Sequence, residues 1–494
     1  MAPKILEPSY PTQSLQFLRH HNISASQNGR NENQDSAKVP RAAVLLNIII
    51  VGAGLGGLAT AIALSRRGHT VTVLEQAPAL GEASPVGAGI QIPSNSTRLL
   101  LSWGLGDFFG SKVTEPEGMS FLRWQNGEKI GYTKLVPDFQ ENFGAPYYVV
   151  HRAHFHDALY RCALKLGVIV HVGCKVEAYN ADAGAVQLAN GVSYTGDLVV
   201  AADGINSIAR REILKENDKK PTATGFAAYR ATVDVEKIKA DPELAWLLEK
   251  PSLNIWIGED RHVMTYTIAG GKSFNMVLSH VDRSDPATWR ADTAIEDMHK
   301  YFHDWDPRLV KIIRMIERTI KWPLMNITGL PKWVASSNRL LILGDAAHAM
   351  VPYMSQGAAM AVEDGAALGE ALSLISHRAQ VPLALEVFEQ VRMKRSYQMQ
   401  EASLLNGNIW HFPDGPEQRA RDEAMRPEVE GKHFLSSANQ WSDPVTQWWA
   451  YGYNAETEVA KVWGRRHAAL GSVLDESQNG FERLKVNGNQ ANGH

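Results

Sequence analysis

Asn47-Ile48-Ile49-Ile50-Val51-Gly52-Ala53-Gly54-Leu55-Gly56-Gly57-Leu58-Ala59-Thr60, followed after Gly68-His69-Thr70 by Val71-Thr72-Val73-Leu74-Glu75, decides the fold. An apolar β-branched run predicts a buried strand, Gly52, Gly54 and Gly57 supply a G-x-G-x-x-G turn, an Ala/Leu-rich helix follows, and a second strand ends on a carboxylate. Gly52 permits the tight turn, Gly54 lets a pyrophosphate approach the backbone, Gly57 lets the helix pack on the strand, and Glu75 can accept hydrogen bonds from ribose hydroxyls. A lone G-x-G-x-x-G is a weak signal, because a Gly-rich surface turn can carry it. Here strand, glycines, helix, second strand and terminal acid fall in order within one βαβ unit, which reads as a dinucleotide site.

The rest of the chain frames that unit. At 494 residues it is too long for one simple core, and length alone suggests about two to four domains. An apolar fraction of 44%, a charged fraction of 21% and a formal net charge of -3 are those of an ordinary globular protein, with no case for nucleic acid or an acidic membrane surface. Cys162 and Cys174 form neither a disulfide framework nor a zinc pattern, which fits a reducing compartment. No uninterrupted apolar run approaches the ~18 residues that span a bilayer. The expected ligand is small and the expected location cytoplasmic. Residues 1–42 are polar and rich in Asn, Gln, Ser and Pro, which predicts a disordered arm with no secretory signal and argues against a mitochondrial presequence; residues 481–494 read as a second loose tail.

Along the chain, a helix over 55–67 and a strand over 71–75 lead to the glycine-rich loop Gly87-Ala88-Gly89-Ile90-Gln91-Ile92-Pro93, and Ser94-Asn95-Ser96 offer capping side chains to a helix through Leu101. Residues 113–150 alternate short strands and turns; a helix over about 153–166 precedes a third parallel strand, Val168–Val172. Residues 176–196 read as a meander turning at Asn190-Gly191, and Leu198–Gly204 as another buried strand ending in an acid and a glycine. The alternating runs Ala227–Val235, Leu253–Ile257, His262–Ile268 and Phe274–Leu278 predict an inserted sheet. Arg339–Asp345 returns to the buried-strand pattern, Gly357–Ile375 reads as a long helix, and 382–470 as mainly helical until Trp441–Tyr453.

Three separated segments therefore end strands on glycine and acid: the βαβ unit, Ala202-Asp203-Gly204-Ile205-Asn206-Ser207, and Gly344-Asp345-Ala346-Ala347-His348-Ala349-Met350-Val351-Pro352. This trio and its spacing resemble the FAD-dependent aromatic monooxygenases of the p-hydroxybenzoate and salicylate hydroxylase type, over roughly residues 45–395. The strings Gly87–Pro93, Ala228-Tyr229-Arg230-Ala231 and Trp448–Tyr453 are similar to those of the salicylate hydroxylase-like branch, which includes fungal secondary-metabolism hydroxylases. The resemblance implies an α/β architecture: a Rossmann-type, glutathione-reductase-like FAD-binding domain (43–220 and 336–400), an inserted β-sheet substrate domain (221–335) and a helical C-terminal region (401–480).

Mapped residue by residue, the resemblance implies FAD contacts at Gly52, Gly54, Gly57, Glu75, Ala88, Arg152 and Asp345, and at Gly357 and Ala358, where a helix N-terminus would face the flavin. Asp203 resembles the family segment proposed to serve both FAD and the nicotinamide donor; the alternative is a strand-ending Asp that caps a turn. No second G-x-G-x-x-G is present, and the resemblance implies NAD(P)H as a transient co-substrate without a Rossmann domain of its own. Arg230 and Tyr266 are the expected catalytic pair, since dearomatising relatives hold a substrate phenolate with a matching Arg and Tyr. The alternative is a sheet arginine paired with Asp234 or Glu236 and a core tyrosine. His151, His154 and His156 lack a metal-ligand pattern, so no metal is expected; His348 reads as structural, and Trp441, Trp448, Trp449, Tyr451 and Tyr453 as core.

The activity implied is NAD(P)H- and O2-dependent hydroxylation of a phenolic or aromatic-acid small molecule through a flavin C4a-hydroperoxide. The alternatives are an indole or heteroaromatic epoxidase-hydroxylase of the same fold, and a flavin oxidase or reductase. An inserted substrate domain argues against a non-catalytic FAD sensor. Expected partners are the small aromatic substrate, O2 and NAD(P)H, with neither nucleic acid nor membrane, and the sequence leaves room for a homodimer.

Overall fold

The computed structural model describes residues 40–81 and 89–467. The expected arm over 1–42 falls outside them except for its last three residues, and the tail over 481–494 falls outside entirely, as do Gly87 and Ala88. The apolar runs assemble a five-stranded parallel sheet in the order Leu340–Ile342, Leu198–Ala201, Asn47–Val51, Thr70–Leu74, Ile169–His171, with its central strands buried and the edge strand Ile169–His171 partly exposed. Ile48, Ile50, Val73, Val200 and Leu341 are buried, as strands covered on both faces require. Because all five strands run the same way, their C-terminal ends gather Gly52, Glu75, Asp203 and the loop before Asp345 along one edge of the sheet. Ligands of open α/β sheets bind at such an edge.

Two helices lie close together behind that edge. Leu55–Arg66 packs against Gly357–Ser373, and glycines set the approach. A Cβ at Gly365 would stand 2.8 Å from Thr60 Cα, and one at Gly369 would stand 3.2 Å from the Ala63 carbonyl oxygen.

The alternating runs form a seven-stranded sheet in the order Thr319–Asn326, Thr222–Asp234, Ser273–Val281, Arg261–Ile268, Ser252–Gly258, Gly118–Arg123, Lys129–Lys134. The last two strands come from the segment between the glycine loop and His151, and Gly118–Arg123 joins by parallel pairing with Ser252–Gly258. One face carries Tyr229, Val233, Trp256, Phe274 and Leu278 against Ala294–Phe302 and Pro307–Ile313. The other carries Phe121, Ile255, Met264 and Tyr266 against Val351, Met354, Met360, Trp410, Trp441 and Tyr451. That second face is the one turned toward the Gly344–Gly357 segment. Gly89–Ile92, Val113–Thr114 and Tyr148–His151 make a small antiparallel sheet, and Val176–Thr195 is a meander turning at Asn190-Gly191.

The C-terminal region is Val381–Trp410, Pro416–Val429, Pro444–Tyr451 and a helix over 455–467. Trp441 meets Phe121 edge-on and Tyr451 lies 4.9 Å from Phe139, so both cover the inner face of the sheet as core. Trp448 differs, being 41% exposed. The expected cap at Ser94-Asn95-Ser96 does not form. Helix Ser94–Ser102 follows Pro93 with no side-chain cap, because tertiary partners claim two of those groups: Ser94 donates to the Ala145 carbonyl and Asn95 to Glu363, while Ser96 turns back to the Pro93 carbonyl.

Candidate active site

The three glycines of the first turn meet different surroundings. Gly52 has φ +100°, and a Cβ there would lie 2.4 Å from the Ala202 carbonyl oxygen; one at Gly57 would lie 1.9 Å from the Gly52 carbonyl oxygen. Those two positions need glycine for the protein's own packing. Gly54 does not: a Cβ there would meet nothing within 4 Å. Its missing side chain leaves open space directly before helix Leu55–Arg66, whose first-turn N–H groups have no acceptor within the helix and no capping side chain. An anionic pyrophosphate fits that cradle.

Glu75 closes the turn from the next strand. Its Oε2 accepts the Ala53 N–H and its Oε1 the Ala77 N–H, each at 2.7 Å, and the half-buried carboxylate keeps lone pairs for a sugar hydroxyl. His156 Nε2 bonds to the Ala53 carbonyl at 2.7 Å from the other side. Asp203 Oδ2 meets Tyr179 OH and the N–H groups of Ile208 and Ala209, so it does cap the helix that follows. Its buried Oδ1 has no partner among the described residues.

Asp345 is exposed at the start of Asp345–His348, and its carboxylate has no hydrogen-bond partner among the described residues. Gly357 and Ala358 open the long helix with no side-chain cap and are both partly exposed. Arg152 is exposed at the first position of Arg152–Lys165, where the His151 ring caps the helix. Ala88 lies outside the described residues.

Beneath this edge runs a buried ionic network that sequence reading missed. Asp364 Oδ2 accepts the Gly344 N–H at 2.9 Å and contacts His348 Nε2 at 2.6 Å, while Oδ1 accepts from Arg392 Nε at 2.8 Å. Arg392 also holds Glu363 at 2.6 Å, and Asn95 donates to Glu363 at 2.7 Å. Burial pushes the Asp364 carboxyl up, but His348 and Arg392 overcome it and bring it down to about 2. The available signal was Glu363-Asp364 inside an Ala/Gly-rich apolar helix, since two carboxylates cannot be buried there without cationic partners.

On the inner face of the seven-stranded sheet, Arg230 and Tyr266 sit on strands separated by Ser273–Val281. Arg230 and Met264 both pair with Val277, which puts Arg230, Met264 and Tyr266 on one face. The alternative ion pairs are not made: Asp234 caps the following helix and Glu236 pairs with Lys239. Arg230 is half-buried, and its Nε has no partner among the described residues. Burial lowers its pKa, Tyr266 counteracts this, and Arg152 adds to it, so the three groups feel one another. Burial raises the Tyr266 phenol above its ordinary range, against the opposing pull of Arg230 and a bond with Gln91. Tyr147 OH donates to Gln91 Oε1 at 2.5 Å.

This geometry can be set beside known proteins. The FAD binding domain family matches residues 46–403. The chain is 38% identical to the FAD-dependent monooxygenase OpS4 of Beauveria bassiana (strain ARSEF 2860) over 416 residues, which cover 83% of this chain and 95% of that protein. It belongs to the FAD-dependent aromatic monooxygenases. This monooxygenase is also 30% identical to 3-hydroxybenzoate 6-hydroxylase of Polaromonas naphthalenivorans (strain CJ2), over 84% of its own length and 98% of that enzyme's. Among solved structures it resembles FqzB (26% identical, TM-score 0.71, covering 88% of this chain and 96% of that one) and a salicylate hydroxylase substrate complex (25% identical, TM-score 0.67, covering 84% and 97%). FAD is therefore the cofactor of this monooxygenase, and NAD(P)H is typical of its family. Among the described residues no helix is long and apolar enough to cross a membrane, and no group of three or more His, Cys, Asp or Glu could hold a metal ion.

Proposed function

We propose that this monooxygenase uses NAD(P)H and O2 to hydroxylate a phenolic or aromatic-acid small molecule held by Arg230 and Tyr266. The observation that carries the reading is the half-buried Arg230 guanidinium, whose Nε is unpaired among the described residues, on a largely apolar sheet face beside a buried tyrosine. A guanidinium in such surroundings favours an oxyanion or carboxylate. Ionising a phenol raises electron density on its ring, which suits attack on an electrophilic oxygen.

FAD, when bound and reduced, supplies the oxygen-activating chemistry. The protein supplies the rest. Gly54 and the first turn of Leu55–Arg66 take the pyrophosphate, Glu75 takes a ribose, Asp345 takes hydroxyls of the ribityl chain, and the N-terminus at Gly357 and Ala358 stabilises negative charge on the ring. Arg230 anchors the aromatic oxygen, the Tyr266 hydroxyl adds a hydrogen bond to it, and Met264, Val277 and Ala228 keep the face dry. Relatives whose names state a substrate fit this reading: 3-hydroxybenzoate 6-hydroxylase and 3-amino-4-hydroxybenzoate 2-monooxygenase both act on hydroxylated benzoates.

The test is a panel of phenols, aromatic acids and indoles, scored by substrate-stimulated NAD(P)H oxidation and by product mass. A phenol or aromatic acid that gains one oxygen supports the proposal, and loss of carbon dioxide in the same product marks a decarboxylative hydroxylation. Oxygenation confined to indoles, or NAD(P)H oxidation that yields only hydrogen peroxide with every phenol and acid, contradicts it.

A further inference from the structure

Asn275 occupies the middle of the substrate face. Its strand pairs with Arg261–Ile268 on one side, placing it directly opposite Tyr266, and with Thr222–Asp234 on the other, where Val277 stands opposite Arg230. Residues two apart on a strand share a face, so Asn275, Tyr266, Val277 and Arg230 project from the same side. Asn275 is 0% exposed.

Its carboxamide is oriented by the backbone. Oδ1 accepts the Gly89 N–H at 2.6 Å, at the end of the glycine-rich loop. Exchanging oxygen and nitrogen would set two donors against each other, so the assignment is fixed by chemistry. Nδ2 is thus turned away from Gly89, and among the described residues it has no acceptor. Arg230 Nε is a second buried donor in the same condition on the same face. Two unsatisfied donors among apolar neighbours specify a ligand that brings two acceptors.

We propose that Asn275 is a specificity-determining substrate contact, whose Nδ2 donates to a second oxygen of the aromatic substrate while Arg230 holds the first. The substrate class narrows to aromatics carrying an ionisable oxygen and a separate carbonyl or carboxylate oxygen. This rests on the reading of the Arg230 face as the substrate site. A plain phenol leaves Nδ2 buried and unpaired, and the enzyme discriminates against it for that reason.

The test compares the three hydroxyacetophenone isomers with the matching ethylphenols, which replace the carbonyl by a methylene at similar volume. Binding is read from perturbation of the flavin absorption of the FAD-loaded enzyme. At least one ketone should bind about fivefold or more tightly than its ethyl counterpart, the gain expected of one buried neutral hydrogen bond. Asn275→Asp keeps an oxygen for the Gly89 N–H but loses the donor, and should bring that ratio to one or below; Asn275→Ala, which adds no charge, should abolish the preference too. A ratio of one in the wild-type enzyme overturns the proposal, as does a ratio retained in either variant. In Arg230→Ala both ligands of a pair should weaken together; unchanged binding there contradicts Arg230 as the anchor, independently of the Asn275 ratio.

Discussion

Asp364 holds Gly344 by its backbone N–H at 2.9 Å, from a helix that is itself tied to Arg392 at 2.8 Å. Gly344 has φ +60° and precedes Asp345, so one buried carboxylate sets the course of the loop that presents the proposed ribityl contact. Asp364→Asn leaves the Arg392 guanidinium with one fewer anion and gives His348 a neutral amide. Removing one partner of a buried ion pair costs about 3–5 kcal/mol, part of which Glu363 offsets here. The expected outcome is a lower urea midpoint together with FAD affinity reduced about tenfold or more; an unchanged midpoint and unchanged FAD affinity would remove Asp364 from this role.

Gly54 and Gly57 should part company on substitution. Gly57→Ala drives a methyl into the Gly52 carbonyl and should destabilise the apoprotein severely, whereas Gly54→Ala places it in open space and should leave the apoprotein melting temperature within about 2 °C. If a pyrophosphate occupies that space, Gly54→Ala still loses FAD affinity by tenfold or more. Melting of the two apoproteins and flavin titration separate the effects.

His280 predicts a pH dependence. It is fully buried, stacked on Tyr229 at 4.8 Å, and burial together with Lys321 lowers its pKa from 6.5 to about 4 despite Asp282. The unfolded chain therefore binds a proton between those values that the folded chain refuses, so stability is complete above pH 6.5 and is lost as the pH falls toward 4. The full loss is on the order of 3 kcal/mol. Denaturation at stepped pH should show a shallower acid-side decline in His280→Phe than in the wild-type protein, and identical slopes would remove His280 as a contributor.

How far the sequence could be read follows the range of its signals. The βαβ unit, the strand Leu198–Ala201 and the strand Leu340–Ile342 were legible because a strand buried on both faces must be a continuous apolar run. Arg261–Ile268 and Ser273–Val281 were legible by alternation. Residues 113–150 were legible only as short strands and turns, and the parallel pairing of Gly118–Arg123 with Ser252–Gly258 left no local trace. Asn275 lay inside a strand that was read correctly, but its meaning comes from Gly89, 186 positions away. Ser94 and Asn95 carried a strong capping pattern that tertiary hydrogen bonds overrode.

The most direct measurement is oxygenated product formed per NAD(P)H consumed by Arg230→Ala, with flavin content checked alongside. Arg230 lies on the substrate sheet and Glu75 and Asp345 at the edge of the parallel one, so the variant should keep its FAD. Coupled turnover should fall by about a hundredfold or more, as expected when a buried substrate charge loses its partner. Arg230→Lys should recover only part of it, because an ammonium does not reproduce the guanidinium fork, and Tyr266→Phe should be milder. Near-normal coupled turnover in Arg230→Ala would contradict the anchoring of an aromatic oxyanion and point to an uncharged heteroaromatic substrate.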